Sequence, residues 1–241
     1  GLARINNWVD DVMTDNTVDY VYGGDLNGDV WRFDMASHSA SLLASTGLPI
    51  TIKPELAEVD GKKVVFGGTG LFLQVSDKSN KATQIIFGIK DDGTAIGSVI
   101  GNSDFIKRTL ITSGDYRTTD SSADIDWDVQ KGWYMELPDS GERVNVDPKI
   151  QLGTLVIASN VPQDTGTNSC SVGGYAWLNY IDYATGCYIE NVQSNPDKHV
   201  STRITSALAV GINVVRLPDG KLVSITTTSD NRHPVTEVPI G

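Results

Sequence analysis

The sequence predicts an all-β fold of the β-propeller kind, and three observations support this. Short runs of β-branched and aromatic residues alternate with turns rich in Gly, Asn and Asp along most of the chain. Only 20% of the residues are charged and 24 are glycine, which suits short strands and turns better than long surface helices. Hairpin-like units also recur along the chain at a nearly constant spacing.

Three hairpins are predicted from strand-like runs on either side of turn residues. In the first, residues 19–22 and 30–33 flank a Gly/Asn/Asp turn. In the second, residues 63–66 and 71–75 flank a Gly-Gly-Thr-Gly turn in the same way. The third spans 213–228 and turns through a Pro-Asp-Gly sequence.

The first two hairpins can be aligned with each other and with later segments. Val-Tyr-Gly-Gly at 21–24 matches Val-Phe-Gly-Gly at 65–68, an offset of 44 residues. The run at 155–160 takes the same place before a turn about two periods later, and 207–211 begins a fourth unit. Such a recurrence is typical of propellers, because one small blade cannot bury its own faces. The alternative is a β-sandwich with coincidentally spaced hairpins.

Two segments are predicted to be long loops on the rim of the domain. Residues 114–128 are polar and acidic, and residues 160–174 are rich in turn-forming types. Cys170 and Cys187 lie in one turn-rich region, and an even pair of cysteines favours a disulfide and an oxidising compartment. The alternative is two separate buried thiols.

Composition excludes several classes of partner. The net charge is −11 and there is no basic patch with interleaved aromatics, which argues against a nucleic-acid partner. No apolar run reaches the roughly 18 residues that would span a bilayer as a helix. Residues 1–241 are interpreted as one propeller region cut from a larger secreted protein.

Five aromatic residues are expected to pack in the core between blades, because they lie in strand-like runs. They are Trp31, Trp127, Trp133, Tyr134 and Trp177. The alternative is a surface platform that stacks on a sugar ring.

A search for chemistry finds no nucleophile motif and one candidate cation site. Asp11, Asp15 and Asp19 stand at the first, fifth and ninth positions of an acidic loop, as in a calcium-binding loop. Met13 occupies the third position and cannot bind calcium, although Asn16 or backbone carbonyls could replace it. The alternative is that these carboxylates are solvated turn residues.

Several stretches of the chain resemble a known protein family. The stretch at 20–34, Tyr-Val-Tyr-Gly-Gly-Asp-Leu-Asn-Gly-Asp-Val-Trp-Arg-Phe-Asp, resembles the D-x-V-Y-x-G-D-L-x-G-N-x-W-R-F-D stretch of the PilC/PilY proteins of type IV pili. Further stretches agree in order along nearly the whole chain: 50–58, 65–70, 132–138, 141–144, 154–162, Cys170 with 173–174, and 214–220.

The resemblance implies a C-terminal β-propeller with modified, quinoprotein-like blades, of which this chain holds a partial set. It implies a non-enzymatic role in pilus biogenesis, adhesion and twitching motility, at the pilus tip or the outer-membrane surface. The implied partners are pilin or minor pilins, with a host-cell receptor or glycan as a further expectation. The family's calcium loop precedes the same strand, so the resemblance also points to calcium at Asp11, Asp15 and Asp19.

Two other functions are alternatives to this role. The region could be a structural propeller that positions an N-terminal adhesive domain. It could also be a quinone-dependent dehydrogenase, since those propellers carry similar Gly-Asp-Gly-Trp turns, but the sequence supplies no recognisable cofactor pocket.

Overall fold

The structure is a computed structural model that describes residues 1–11, 13–120, 123–163, 173–191, 193, 195–204 and 207–240. Strands account for 49% of the described residues and helix for 2%, which confirms the all-β prediction. The strands are β1 Leu2–Trp8, β2 Tyr20–Asp25, β3 Asp29–Asp34, β4 Ser39–Ser45, β5 Glu55–Val59, β6 Lys62–Gly68, β7 Ile85–Asp91, β8 Gly97–Ser98, β9 Phe105–Arg108, β10 Leu110–Ser113, β11 Tyr116–Thr119, β12 Gly132–Glu136, β13 Lys149–Gln151, β14 Thr154–Gln163, β15 Gly173–Asp182, β16 Ser201–Ile204, β17 Ala209–Arg216, β18 Leu222–Thr228 and β19 Val235–Glu237. One short 3₁₀ helix covers Val75–Ser79.

These strands form four sheets. Sheet A has the order β1-β2-β3-β4-β8, and sheet B has the order β5-β6-β7-β12-β9. Sheet C has the order β10-β11-β16-β15-β14-β13, and sheet D has the order β17-β18-β19. Neighbouring strands are antiparallel except at β8 and β9, which pair in parallel with β4 and β12.

The predicted repeat corresponds to the four sheets. The motifs at 21–24, 65–68 and 155–160 lie on β2, β6 and β14, and each of these strands is next to an edge strand of its sheet. The fourth segment, 207–211, leads into β17 of sheet D. One edge strand of each sheet contacts that of the next, β1 against β5, β5 against β13 and β13 against β17. The four sheets thus have a β-propeller arrangement, as predicted.

The first and third predicted hairpins are confirmed. Strand β2 pairs with β3, and the carboxylate of Asp25 accepts hydrogen bonds from the backbone N–H groups of Asn27 and Asp29 within the turn. Gly28 lies in this turn with φ of +89°, a conformation that favours glycine. Strand β17 pairs with β18 across the Pro-Asp-Gly turn.

The second predicted hairpin is wrong in its second strand. Strand β6 pairs with β5 and β7, and residues 71–75 form no strand. Leu73 and Val75 are 71% and 78% exposed, so this apolar run contributes little to the core. The run is bent because the Asp77 carboxylate accepts the backbone N–H groups of Leu73 and Gln74, which closes a turn instead of extending a strand.

The two predicted rim loops are only partly loops. Residues 114–128 contain strand β11, which pairs with β10 and β16, and the buried side chains of Ile125 and Trp127. The polar composition concealed this strand, because its two buried residues are the charged Arg117 and the polar Thr119. In the second segment, β14 continues to Gln163 and β15 begins at Gly173, while residues 164–172 lie outside the described residues.

Two hydrophobic clusters hold the sheets together. The large core joins sheets A, B and C and contains Phe66, Phe87 and Trp133. The small core joins sheet D to sheet C through residues such as Leu178 and Leu222. Of the five aromatics expected in the core, Trp127, Trp133, Tyr134 and Trp177 are buried, as predicted, whereas Trp31 is only half-buried.

The outer faces of sheets A and D stay partly exposed. On sheet A, Ile5 pairs with Gly23, which pairs with Trp31 and then Leu42, so these residues share one face. Ile5 is 50% exposed on that face. On sheet D, the corresponding face carries Val215 and Val223 in one row and Ile225 and Val235 in the next, and Val235 is 62% exposed. The face of sheet A is therefore apolar yet accessible, and the face of sheet D carries these apolar residues beside the exposed Asn213 and Glu237.

Candidate functional site

The acidic loop between β1 and β2 holds all four residues predicted to bind calcium. The Asp11 carboxylate accepts hydrogen bonds from the backbone N–H groups of Met13 and Thr14, and the Thr14 hydroxyl donates to it as well. The Asp15 carboxylate accepts from the backbone N–H and hydroxyl of Thr17. These bonds hold the pKa values of Asp11 and Asp15 below the usual range, chiefly through the hydroxyls of Thr14 and Thr17.

Asp19 lies at the base of the loop. Its Oδ2 accepts the backbone N–H of Asp10 at 2.6 Å. The Asp10 carboxylate in turn accepts from the Lys63 ammonium at 2.6 Å and from the Trp8 indole N–H at 2.8 Å. The Lys63 ammonium also lies 4.5 Å from the ring centroid of Tyr20. The loop is thereby anchored to sheet B, on which Lys63 lies.

The side chains of this loop do not converge on one point in this arrangement. Met13 is 90% exposed, and Asn16 is exposed too. Among the described residues, no three His, Cys, Asp or Glu side chains gather in a group that could hold a metal ion. The carboxylates instead cap turns within their own loop, and calcium binding stays a prediction.

The predicted disulfide also stays a prediction, because Cys170 lies outside the described residues. Cys187 is fully buried beside the turn that follows β15, with its Sγ 3.6 Å from the carbonyl oxygen of Thr185. Burial raises the pKa of the Cys187 thiol.

A buried ion pair joins Arg117 of sheet C to Glu142 in the connection between β12 and β13. Arg117 of β11 and Glu142 both have fully buried side chains, and they form two parallel hydrogen bonds of 2.8 and 2.9 Å. The Arg117 guanidinium also lies 3.8 Å from the ring centroid of Trp177. Such a two-fold arginine–carboxylate contact fixes both groups in one geometry.

Strand hydroxyls and amides continue the cluster into the sheet. The Ser159 hydroxyl donates to Glu142 Oε1 at 2.5 Å, and the Asn179 amide donates to Ser159 Oγ at 3.2 Å. The Ser201 hydroxyl then donates to Asn179 Oδ1 at 2.6 Å. The chain of hydrogen bonds crosses β14, β15 and β16, so the ion pair is joined to the centre of the sheet.

Asp139 connects the buried pair to the surface. Its Oδ2 accepts from the Trp177 indole N–H at 2.8 Å and from the Tyr175 hydroxyl at 2.9 Å, and it forms an ion pair of 3.0 Å with the Arg117 guanidinium. Its side chain is 24% exposed. Burial, followed by the hydrogen bond to Asp139, raises the pKa of Tyr175 to about 12, so the phenol remains a donor at neutral pH.

Sequence reasoning did not identify this cluster. It noted the stretch at 141–144 only for its resemblance and Trp177 only as a core residue. Arg117 and Glu142 are 25 residues apart and share no motif, so no local pattern pairs them. The adjacent charges at 142–143 lie between a Pro-Asp-Ser-Gly turn and a Val-Asn-Val-Asp segment, so their local sequence did not indicate burial.

Comparison with known proteins connects this architecture to a family. No protein-family model matches the chain. A type IV pilus biogenesis factor PilY1 homologue of Xylella fastidiosa is 28% identical over 202 residues, covering 77% of this chain and 16% of that protein. The type IV pilus biogenesis factor PilY1 of Pseudomonas aeruginosa is 24% identical over 234 residues, covering 73% of this chain and 20% of that protein. The chain is homologous to the PilY1 proteins.

The solved structure of the Pseudomonas aeruginosa PilY1 C-terminal domain agrees with the fold. It superposes with a TM-score of 0.72 at 18% identity, over 99% of this chain and 61% of that domain. The resemblance seen in the sequence is therefore confirmed, and the match extends over all four sheets. The chain spans at most a fifth of the length of these curated PilY1 relatives. In the part of the chain that the structure describes, no helix is long and apolar enough to cross a membrane.

Proposed function

We propose that this protein acts in type IV pilus biogenesis, as a non-enzymatic module at the pilus tip or outer cell surface. The observation that carries the proposal is the 28% identity over 202 residues to a type IV pilus biogenesis factor PilY1 homologue. The agreement in fold with the C-terminal domain of a PilY1 protein supports it. Pilin or minor pilins are the proposed partners within the pilus system.

A binding role rather than a catalytic one fits the chemistry of the buried cluster. Arg117 and Glu142 are both fully buried and satisfy each other, so neither can reach a substrate in this arrangement. Their geometry serves to fix the strands of sheet C and the turn at 138–142. Adhesion to a host surface is the finer proposal, with the rim of the sheets as the contact region.

The uncovered faces of sheets A and D support a further part of the proposal. Propeller blades pack face to face. Burial of a face that bears Ile5, Trp31 and Leu42 would stabilise the fold, and this stabilisation is missing while the face contacts water. We infer that further sheets of a larger propeller cover these two faces. A longer polypeptide that includes them should bind less of a hydrophobic dye per molecule than this chain does.

The role in biogenesis is tested by deleting residues 1–241 from the parent protein in its own host. Surface pili, twitching and adhesion are then scored separately, with secretion of the shortened protein verified by immunoblot. We expect loss of surface pili and of twitching. Normal piliation and motility with a stably secreted deletion protein would contradict the proposal, and loss of adhesion alone would favour a scaffold role for an adhesive domain.

A further inference from the structure

A polar cleft lies beside Asp139, at the end of sheet C. It encloses about 480 Å³ between the turn at 138–140 and the ends of β14 and β15. The cleft is open to solvent, and the buried Arg117–Glu142 pair lies directly behind its carboxylate. We propose that this cleft binds a neutral saccharide through the sugar hydroxyl groups.

The first support is the fixed orientation of the Asp139 carboxylate. Its Oδ2 is held by two donors, the Trp177 indole and the Tyr175 hydroxyl at 2.8 and 2.9 Å, and by an ion pair of 3.0 Å with Arg117. Among the described residues, no donor contacts the other oxygen, Oδ1. The Asp139 side chain lines the cleft and is 24% exposed. A carboxylate held in place in this way accepts hydrogen bonds from hydroxyl groups, and it loses little conformational entropy when a ligand binds.

The second support is the set of groups around that oxygen. Lys81, Ser140 and Gln163 line the same cleft and are exposed, so an ammonium, a hydroxyl and an amide all face the space. Together with Asp139 they offer both donors and acceptors. A ring bearing several hydroxyl groups, each a donor and an acceptor, matches such a mixed lining.

The third support is the aromatic wall. Tyr175 lines the cleft and is half-buried, and its phenol donates to Asp139. The Arg203 guanidinium lies 3.9 Å from the ring centroid and holds the ring in place. A rigid ring beside a fixed carboxylate gives a sugar one apolar contact and one polar contact on neighbouring walls.

The charge balance of the cleft favours a neutral ligand. The two carboxylates, Asp139 at the front and Glu142 behind, are offset by Arg117, which pairs with both, and by Lys81 on the cleft wall. The Lys81 ammonium would repel an isolated cation, and the Asp139 carboxylate would repel an isolated anion. Hydroxyl groups can use both residues at once, since each hydroxyl donates to the carboxylate and accepts from the ammonium.

The test uses the isolated chain and the indole N–H resonance of Trp177, which lies 2.8 Å from Asp139. The chain is titrated with lactose, maltose and methyl mannoside, and separately with 3′-sialyllactose. We expect at least one neutral saccharide to shift this resonance saturably. Lys81→Ala and Gln163→Ala, both outside the buried cluster, should weaken that binding by about fivefold or more, or about 1 kcal/mol.

The control is Lys62→Ala, which removes a lysine paired with Asp128 outside this cleft and should leave binding unchanged. Unshifted Trp177 in all neutral titrations, binding of sialyllactose alone, or full binding by both cleft variants would overturn the proposal. The proposal deepens the adhesive part of the proposed function. Since the titration uses no pili, its failure is distinguishable from a failure of the piliation experiment.

Discussion

At the scale of single residues, the buried charges of sheet C are the least exposed and most tightly constrained polar groups near the cleft. Arg117 and Glu142 have no exposed side-chain surface. A buried charge that loses its partner is destabilising, whereas replacement of both partners by apolar groups costs much less. Their role in stability can therefore be separated from any role in binding.

We expect Glu142→Gln to lower the free energy of unfolding by about 1.5–3 kcal/mol, because Arg117 loses the charge of its fully buried partner and keeps only the partly exposed carboxylate of Asp139. Denaturant unfolding measures this. The control is Glu136→Gln, which breaks the half-exposed pair with Lys107 and should cost less than about 1 kcal/mol. The double variant Arg117→Met/Glu142→Leu should be more stable than Glu142→Gln, and equal losses for the two glutamate variants would contradict the prediction.

The acidic loop gives a second prediction at this scale. If Asp11, Asp15 and Asp19 rearrange to bind calcium, the ion stabilises the folded chain and raises its melting temperature. We expect millimolar calcium to raise the melting temperature of the unmodified chain but not that of Asp19→Ala. Magnesium serves as the control ion. An equal rise in both proteins, or none in either, would argue against calcium at this loop.

At the scale of elements, the connection between β6 and β7 depends on one carboxylate. Asp77 accepts the backbone N–H groups of Leu73 and Gln74, and these bonds hold its pKa below the usual 3.8. A carboxyl whose pKa is lower in the folded state contributes stability above pH 3.8 and loses it as the pH falls below that value. The segment should therefore loosen in acid.

We expect the melting temperature of the unmodified chain to fall more steeply below pH 3.8 than that of Asp77→Asn, which cannot titrate there. Asp182→Asn is the matched comparison, because burial raises the pKa of Asp182 and its contribution has the opposite sign. The stability that Asp182 contributes is present below pH 3.8, the usual pKa of an aspartate, and is lost as the pH rises through the raised pKa. If the melting temperatures of all three proteins changed with pH in parallel, the predicted contributions of Asp77 and Asp182 to stability would both be wrong.

At the scale of the whole molecule, the two hydrophobic cores differ in how many sheets they join. Sheets A, B and C share the large core, whereas sheet D is held to sheet C by the small core. Sheet D also has only three strands, fewer than any other sheet. Sheet D should be the first unit to open, since it has the smallest share of buried apolar surface.

We expect Leu222→Ala, which truncates a side chain only 1% exposed in the small core, to cost about 2–5 kcal/mol. Amide exchange should then accelerate mainly over 209–238. The comparison is Ile86→Ala in the large core, which should accelerate exchange across sheets A, B and C. Equal acceleration over the whole chain in both variants would show that the two cores unfold as one.

The sequence by itself determined the strands and their repeat. Alternating β-branched and aromatic runs, with a turn at Gly28, are local signals, so the hairpin of β2 and β3 and the four-unit period could be read directly. Because such signals are local, the strand predicted at 71–75 was wrong: the run has the apolar composition of a strand but does not form one. Only the position of Asp77 in three dimensions shows that the run is bent into a turn.

The tertiary structure alone decided which polar groups meet. Arg117 and Glu142 come together because β11 joins the outer side of sheet C, a pairing set by packing and not by spacing along the chain. The carboxylates of Asp11 and Asp15 match the spacing of a metal loop, yet here they bond to their own turns. Residue spacing fixes which groups can meet locally, whereas burial and strand pairing decide which groups from distant segments do meet.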